Sequence, residues 1–367
     1  MNRTRMYKQL LASLWLGSLM LVAAVQAQVG GRAVFDFLRL HTSARQTALG
    51  GAYISVQNTD NALALMNPAL LNPDMHQKAY ASWIDFLGNT NYGTVGYSRH
   101  YPQLGTVQLG IRYLGYGSFT EADAFGNRTG SFSAGDVALN AGWGRQVAEN
   151  LSVGANLKVI NSHLYTYSSW GLAMDIGAYY DYKKWDVQIG AVAQNIGRQL
   201  NPYVAGSTTE PLPFDLQLGI TKRIPHTPMR FTLTGHDLHR PQLVNQDAEG
   251  EELDLEGNPV KDKTSTADEV FRHLTFGLEF LLNKNLHLRT GYNHQRRREL
   301  QSPENNGLNL NGFSLGLGLR INRFYLDYGF ASYHAVGGVH HFQISTLLNT
   351  FQRGWQYDPA AYDYNYN

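Results

Sequence analysis

Apolar and polar or small residues alternate along most of this chain, with a period of two. Leu151, Val153, Ala155, Leu157 and Val159 alternate with Ser152, Gly154, Asn156 and Lys158. Phe313, Leu315, Leu317, Leu319 and Ile321 alternate with Ser314, Gly316, Gly318 and Arg320. The same rhythm runs through Phe214–Thr221, Leu274–Phe280 and Leu286–Asn293. Period two is the signature of a strand with two different faces. Fourteen such stretches are predicted, at about 78–87, 92–100, 104–115, 135–146, 150–162, 170–181, 185–195, 212–223, 229–238, 270–281, 285–295, 308–321, 323–332 and 338–348.

The connections also alternate. Brief turns at 101–103, 147–149, 182–184, 224–228, 282–284 and 322 separate longer loops at 116–134, 163–169, 196–211, 239–269 and 296–307; only the first loop, 88–91, is short. A Greek-key sandwich has no reason to keep this order, and its second face would carry Lys and Glu. Here the second face is rich in Gly, Ser, Asn and Gln. Both rhythms predict an all-β transmembrane outer-membrane barrel of about 14 antiparallel strands, with both ends on the short-turn, periplasmic side.

Composition fits that wall. Charged residues are only 16%, beside Gly 37 and Tyr 22, as small inward residues and interfacial aromatic belts require. Cys 0 excludes disulfides, thiolate metal sites and thiol nucleophiles, and a net charge of +1 argues no nucleic-acid partner. Residues 1–27 read as a signal peptide: Arg3, Arg5 and Lys8, an apolar run from Leu10 to Val25, then Val25-Gln26-Ala27 before a mature start at Gln28. Residues 78–348 form the barrel, and 349–367 a Tyr-rich tail.

Segment 28–77 is too apolar to be a free tail, since Val34, Phe35, Phe37, Leu38, Leu63, Leu65 and Leu70 need burial. It is predicted to plug the barrel with short helices, a separate periplasmic subdomain being the rival. Asn67-Pro68 reads as a helix entry. Inward charges (Arg112, Lys158, Asp175, Asp215, Glu279, Arg289, Arg320, Asp327) should pair with one another or with the plug. Inward glycines, including Gly154, Gly190, Gly219, Gly277 and Gly316, predict close approach of other backbone.

Chemistry is sparse. Gly235-His236-Asp237-Leu238-His239 invites a metal reading, but strand alternation would put His236 and Asp237 on opposite faces. The acidic run Asp247 to Glu256 lacks the spacing of a calcium loop. No Gly-x-Ser-x-Gly elbow supports a lipase triad. The expectation is no catalytic residue, no metal and no cofactor. Function then falls to protein contact through the outer loops, with Phe119, Phe125, Phe132, Tyr203, Arg296, Arg297 and Arg298 as candidate anchors. The three arginines could also meet lipopolysaccharide phosphate.

Thr42 to Ala52, then Asp60 and Asn67-Pro68-Ala69, resemble the plug signature of the FadL-like long-chain fatty acid transporter superfamily, whose Bacteroidetes members include the PorV and PorQ proteins. The plug motif is carried by Arg45, Gly50, Gly51, Asn67, Pro68 and Ala69. Val34 to Arg45 and Met66 to His76 are most similar to the PorQ-like members. The resemblance implies a fourteen-stranded, plugged barrel. It also implies a non-enzymatic role in the type IX secretion system, anchoring a PorZ-like surface partner beside the sortase PorU and the shuttle PorV. The alternative it implies is a transporter of hydrophobic small molecules.

Overall fold

Each stretch of alternation becomes a strand, and the strands pair in sequence order until the last meets the first. The computed structural model describes residues 33–86, 88–243, 265–300, 310–334 and 337–351. Its strands are β1 (Lys78–Asp85), β2 (Asn91–Tyr101), β3 (Gly105–Ala122), β4 (Arg128–Ala148), β5 (Leu151–Leu164), β6 (Tyr167–Tyr182), β7 (Val187–Asn201), β8 (Asp215–Arg223), β9 (Met229–Gly235), β10 (Leu274–Asn283), β11 (Leu286–Asn293), β12 (Phe313–Ile321), β13 (Phe324–His334) and β14 (Gly337–Leu347). They close into one antiparallel barrel, sealed where Lys78 faces Leu347 and Asp85 faces His340. The signal segment, the acidic run, residues 301–309 and the tail from 352 lie outside the described residues.

The outward set of the alternation is bare. Leu109 is 67% exposed, and Trp83, Leu157, Ile176, Leu218, Leu315 and Phe342 are exposed along their strands. At about 25 cal/mol per Å² of apolar surface, such a belt is stable only against hydrocarbon. Tyr180, Tyr182 and Trp185 stack near one end of the wall, in the manner of an interfacial girdle. Among the described residues no helix is long and apolar enough to cross a membrane, so strands do the crossing.

The inward set is filled from within. Residues 34–75 occupy the lumen as a chain of short helices: 3₁₀ turns at Asp36–Arg39, Leu63–Leu65, Pro68–Leu70 and Pro73–Met75, and α1 at Ala44–Ala48. Helix α1 packs on β11 to β14, the Pro68–Leu70 turn on β4, β5 and β6, and the Pro73–Met75 turn on β2 and β3. Ile54 and Ser55 reach Gly190 of β7 and Gly219 of β8. Residues 34–75 therefore touch wall on both sides of the barrel.

Three predicted loops are strand in whole or part. Residues 116–134 carry β3 and β4 onward as a hairpin turning at 123–127, 163–169 is paired strand around a two-residue turn at 165–166, and 196–201 continues β7. Glycines such as Gly117 and Gly126 look like loop punctuation, but both sit at positive φ inside a paired ribbon, at a bulge and at the turn. Two further helices stand at the loop end, α2 (Thr266–Arg272) and α3 (His294–Glu299).

Candidate functional site: the plugged lumen and its outer rim

Arg45, on the buried face of α1, is the plug's main polar lock. Its Nε and Nη2 donate to the two carboxylate oxygens of Glu279 on β10, at 2.8 and 2.7 Å. Tyr53 of the plug donates its hydroxyl to the same carboxylate at 2.7 Å. From the wall, Arg289 and Arg230 add bonds of 3.1 and 3.3 Å, and Arg289 also pairs with Asp327 at 2.5 Å. Glu279 is fully buried, so three guanidinium groups share one desolvated acid. Lys158 pairs with Asp175 at 2.8 Å, and a bulge at Asn195 (φ 56°) lets that side chain accept a second bond from the lysine. Of the inward charges, Lys158, Asp175, Glu279, Arg289 and Asp327 do pair with one another or with the plug.

The other motif residues act through shape. Asn67 caps the Pro68–Leu70 turn, accepting from the amide of Ala69 at 3.1 Å and donating to the carbonyl of Ile54 at 2.8 Å. Gly50 and Gly51 adopt φ of 89° and 109°. A Cβ on Gly50 would lie 2.5 Å from Thr275, and one on Gly51 2.5 Å from His41. The wall answers with its own glycines: a Cβ at Gly154 would meet the backbone of Pro68, and one at Gly316 the side chain of Ala48. These side-chain-free wall positions are where plug backbone lies against strand.

Toward the loop end the lumen changes character. Val34, Phe35, Phe37 and Leu38 of the plug cluster with inward Ile84, Tyr92, Leu114, Ile160 and Val339, under partly buried Phe86, Tyr116 and Tyr203. Arg112 closes the floor of this cluster, donating to the carbonyls of Leu38 and Leu40 at 2.9 and 2.8 Å and to the Tyr92 hydroxyl at 3.1 Å. The lumen thus does hold apolar surface, which its small and polar inward residues did not suggest. That surface is occupied by the plug's own side chains.

The candidate anchors separate. Phe119 and Phe132 face each other across β3–β4 and stack at 5.1 Å, and Tyr165 meets Phe132 edge-on at 5.2 Å. Phe125 stands at the hairpin tip, 92% exposed. Its turn is tied by Asp123, which accepts from the amides of Phe125 and Asn127. A spanning strand needs roughly 9–11 residues, whereas β3 and β4 run to 18 and 21. The aromatic cluster therefore stands clear of the wall. Tyr165, at the β5–β6 turn, was not among the sequence candidates.

Tyr203 and the arginines behave otherwise. Tyr203 donates to Ser162 at 2.6 Å and covers the lumenal cluster, so it is a lid residue. The three arginines lie on α3, where successive side chains diverge by about 100°. Arg296 turns inward to the carbonyl of Gly50, Arg298 bonds Asp268 of α2, and Arg297 stays on the outside. Asp268 is the hub of this rim, also bonded to Arg272 and His294. Burial pushes its carboxyl up, but the bonds from His294, Arg298 and Arg272 outweigh that and hold it well below the usual carboxylate range.

The His236–His239 stretch also departs from expectation. Strand β9 ends at Gly235, and Asp237 takes a left-handed φ of 51°, so alternation no longer applies. Asp215, Asp237 and His239 then bring ligand atoms within 4.8 Å of one another. Their oxygens are already engaged: Asp237 holds Arg39 of the plug through both carboxylate oxygens, at 3.1 and 3.2 Å, and Asp215 accepts from the Asp237 amide and from Gln217. The cluster is a plug contact whose charge is offset by a guanidinium.

No family model matches this chain, and no curated protein matches it. Among solved structures, the toluene transporter TodX of Pseudomonas putida is similar at a TM-score of 0.48 and 14% identity, over 83% of this chain and 96% of that one. A Pseudomonas aeruginosa FadL homologue follows at 0.45 and 10%, over 83% and 98%. The monoaromatic hydrocarbon channel CymD gives 0.41 and 15%, over 85% and 97%.

Proposed function

We propose that this protein is an outer-membrane barrel, shut by its own N-terminal segment, that works as a surface docking platform. The observation carrying this reading is the Phe119–Phe132–Tyr165 cluster, Phe119 and Tyr165 exposed and Phe132 half-buried between them, built on a hairpin that overreaches the wall and the turn beside it. Aromatic side chains give large contact area at small entropic cost, and they dominate protein interfaces. The filled lumen supports it too, since Arg45 ties the plug to Glu279 of the wall through two hydrogen bonds. Following the resemblance of the plug signature, the partner is a PorZ-like surface protein of the type IX attachment complex, with the sortase PorU and the shuttle PorV nearby and lipopolysaccharide around. The protein itself performs no catalysis and needs no cofactor.

The test is a mild-detergent pull-down from native outer membranes, comparing wild type with Phe119→Ser/Phe132→Ser. A surface protein recovered in stoichiometric amount with the wild type and lost with the variant supports the platform. Equal recovery with both removes the hairpin from it.

A second reading, a transporter of hydrophobic small molecules, is favoured by the apolar cluster around Phe35, Phe37 and Leu38. It requires the plug's apolar end to withdraw and yield that space to substrate. Purified protein that carries a hydrophobic molecule, displaced by filling substitutions at Gly171 beside Phe35, would favour it over docking.

A further inference from the structure

Below the plug, at the turn end of the lumen, lies a cavity that neither reading uses. It is bounded above by Arg45 and Asp60 of the plug and below by the β10–β11 turn at Lys284, and its free volume is about 50 Å³. Seven of its lining side chains are Lys or Arg and two are Asp. Glu279 stands behind as a third acid, already shared by three arginines. Lys and Arg thus predominate in its lining, and three of them are paired with Glu279.

Lys78 sharpens the point. It is the first residue of β1, only 1% exposed, and lines the cavity. Its Nζ makes no ion pair or hydrogen bond among the described residues; it rests 4.5 Å from the centroid of the Tyr325 ring, whose environment Arg320 shares at 5.2 Å. A buried ammonium without an acid is costly unless something anionic comes to it. The volume limits what that is: a single water needs roughly 10–15 Å³ by the same measure, so a small oxyanion enters and an acyl chain does not. A carboxylate would bring one charge, whereas a phosphate group brings nearly two and three strong acceptor oxygens.

We propose that this turn-end cavity binds a phosphate group, with Lys78 and Arg320 as its main contacts and Tyr325 as the platform that holds both. The group could be supplied by free phosphate or by the phosphomonoester head of a lipid.

The experiment is calorimetric titration of inorganic phosphate into the full chain in uncharged detergent, at fixed ionic strength. Saturable binding is expected, weakened at least about tenfold by Lys78→Met and largely kept by Lys78→Arg. Heat-modifiable gel migration reports that each barrel is folded, and Arg320→Gln serves if Lys78→Met does not fold. Repeating the titration in nanodiscs with and without phosphatidic acid separates the sources. Loss of the phosphate signal only with that lipid assigns a headgroup, and an unchanged signal assigns a free solute. No saturable binding, or binding unchanged in folded Lys78→Met and Arg320→Gln, overturns the proposal.

Discussion

The two ends of the plug are held in opposite ways. Residues 34–40 sit in a mainly apolar cup, where side-chain packing does most of the holding and the polar contacts are Arg39 on Asp237 and Arg112 on the Leu38 and Leu40 carbonyls. Residues 42–75 sit against a wall of glycines and paired charges, where backbone contact, Asn67 and the Arg45–Glu279 lock do it. Packing can loosen by degrees as side chains repack. A desolvated ion cluster is satisfied or it is not. The loop-side end is therefore the end that can be remodelled, and the turn-side end is the anchor.

The sharpest way to break this contrast is Glu279→Gln. It strands three arginines around a neutral amide, and an unfolding cost of about 3–5 kcal/mol is expected. Urea titration of the folded barrel in detergent measures it; a loss under 1 kcal/mol would mean that solvent already reaches the lock. Leu38→Ala, in the apolar cup, should cost about 2–4 kcal/mol and should act locally. Hydrogen exchange should then quicken at residues 34–40 and leave 44–48 protected; equal loss at both would merge the two ends. Gly154→Val drives a branched side chain at the Pro68 backbone, 2.4 Å from an ideal Cβ. Overpacking of roughly 1–3 kcal/mol follows, and Gly130→Val, on the exposed part of β4 with only the flexible carboxylate of Glu121 nearby, should cost much less by comparison.

The smallest effect concerns acid. Asp268 has its carboxyl depressed in the folded protein, so its contribution to the α2–α3 rim is fully present above the unfolded carboxylate value near ~4 and is lost as pH falls through the lower folded value. Protection at 266–272, corrected for the intrinsic pH dependence of exchange, should be alike at pH 7 and 5 and should fall only in stronger acid. A fall already between pH 7 and 5 would remove Asp268 as the group that matters.

Much of this was legible beforehand, because a barrel writes its faces in period two. The strand order, the inward charges, the plug and the Asn67-Pro68 cap all follow from local pattern. What escaped depends on contacts between distant segments. Glu279 reads as one inward acid among several until Arg45, Arg230 and Arg289 converge on it. The aromatic hairpin was hidden because glycine signals a turn whether or not the flanking chain stays paired. Arg296 to Arg298 looked like one patch because a cluster in sequence says nothing of the helix that fans it apart. Asp237 defeated the alternation rule through a single left-handed residue.

The order of parts along the chain has a consequence for how the protein is made. The plug is synthesised before any strand, yet α1 rests on β11 to β14, the last strands to emerge. The Ala44 amide donates to the side-chain oxygen of Gln343, the residue that Ser82 faces across the seam. The early segment therefore has no finished berth until the sheet has come full circle. Contacts so distant in sequence form late. Seating of the plug and closing of the seam are thus one event in assembly, and a barrel closed without its plug would leave Glu279 and Asp237 without Arg45 and Arg39.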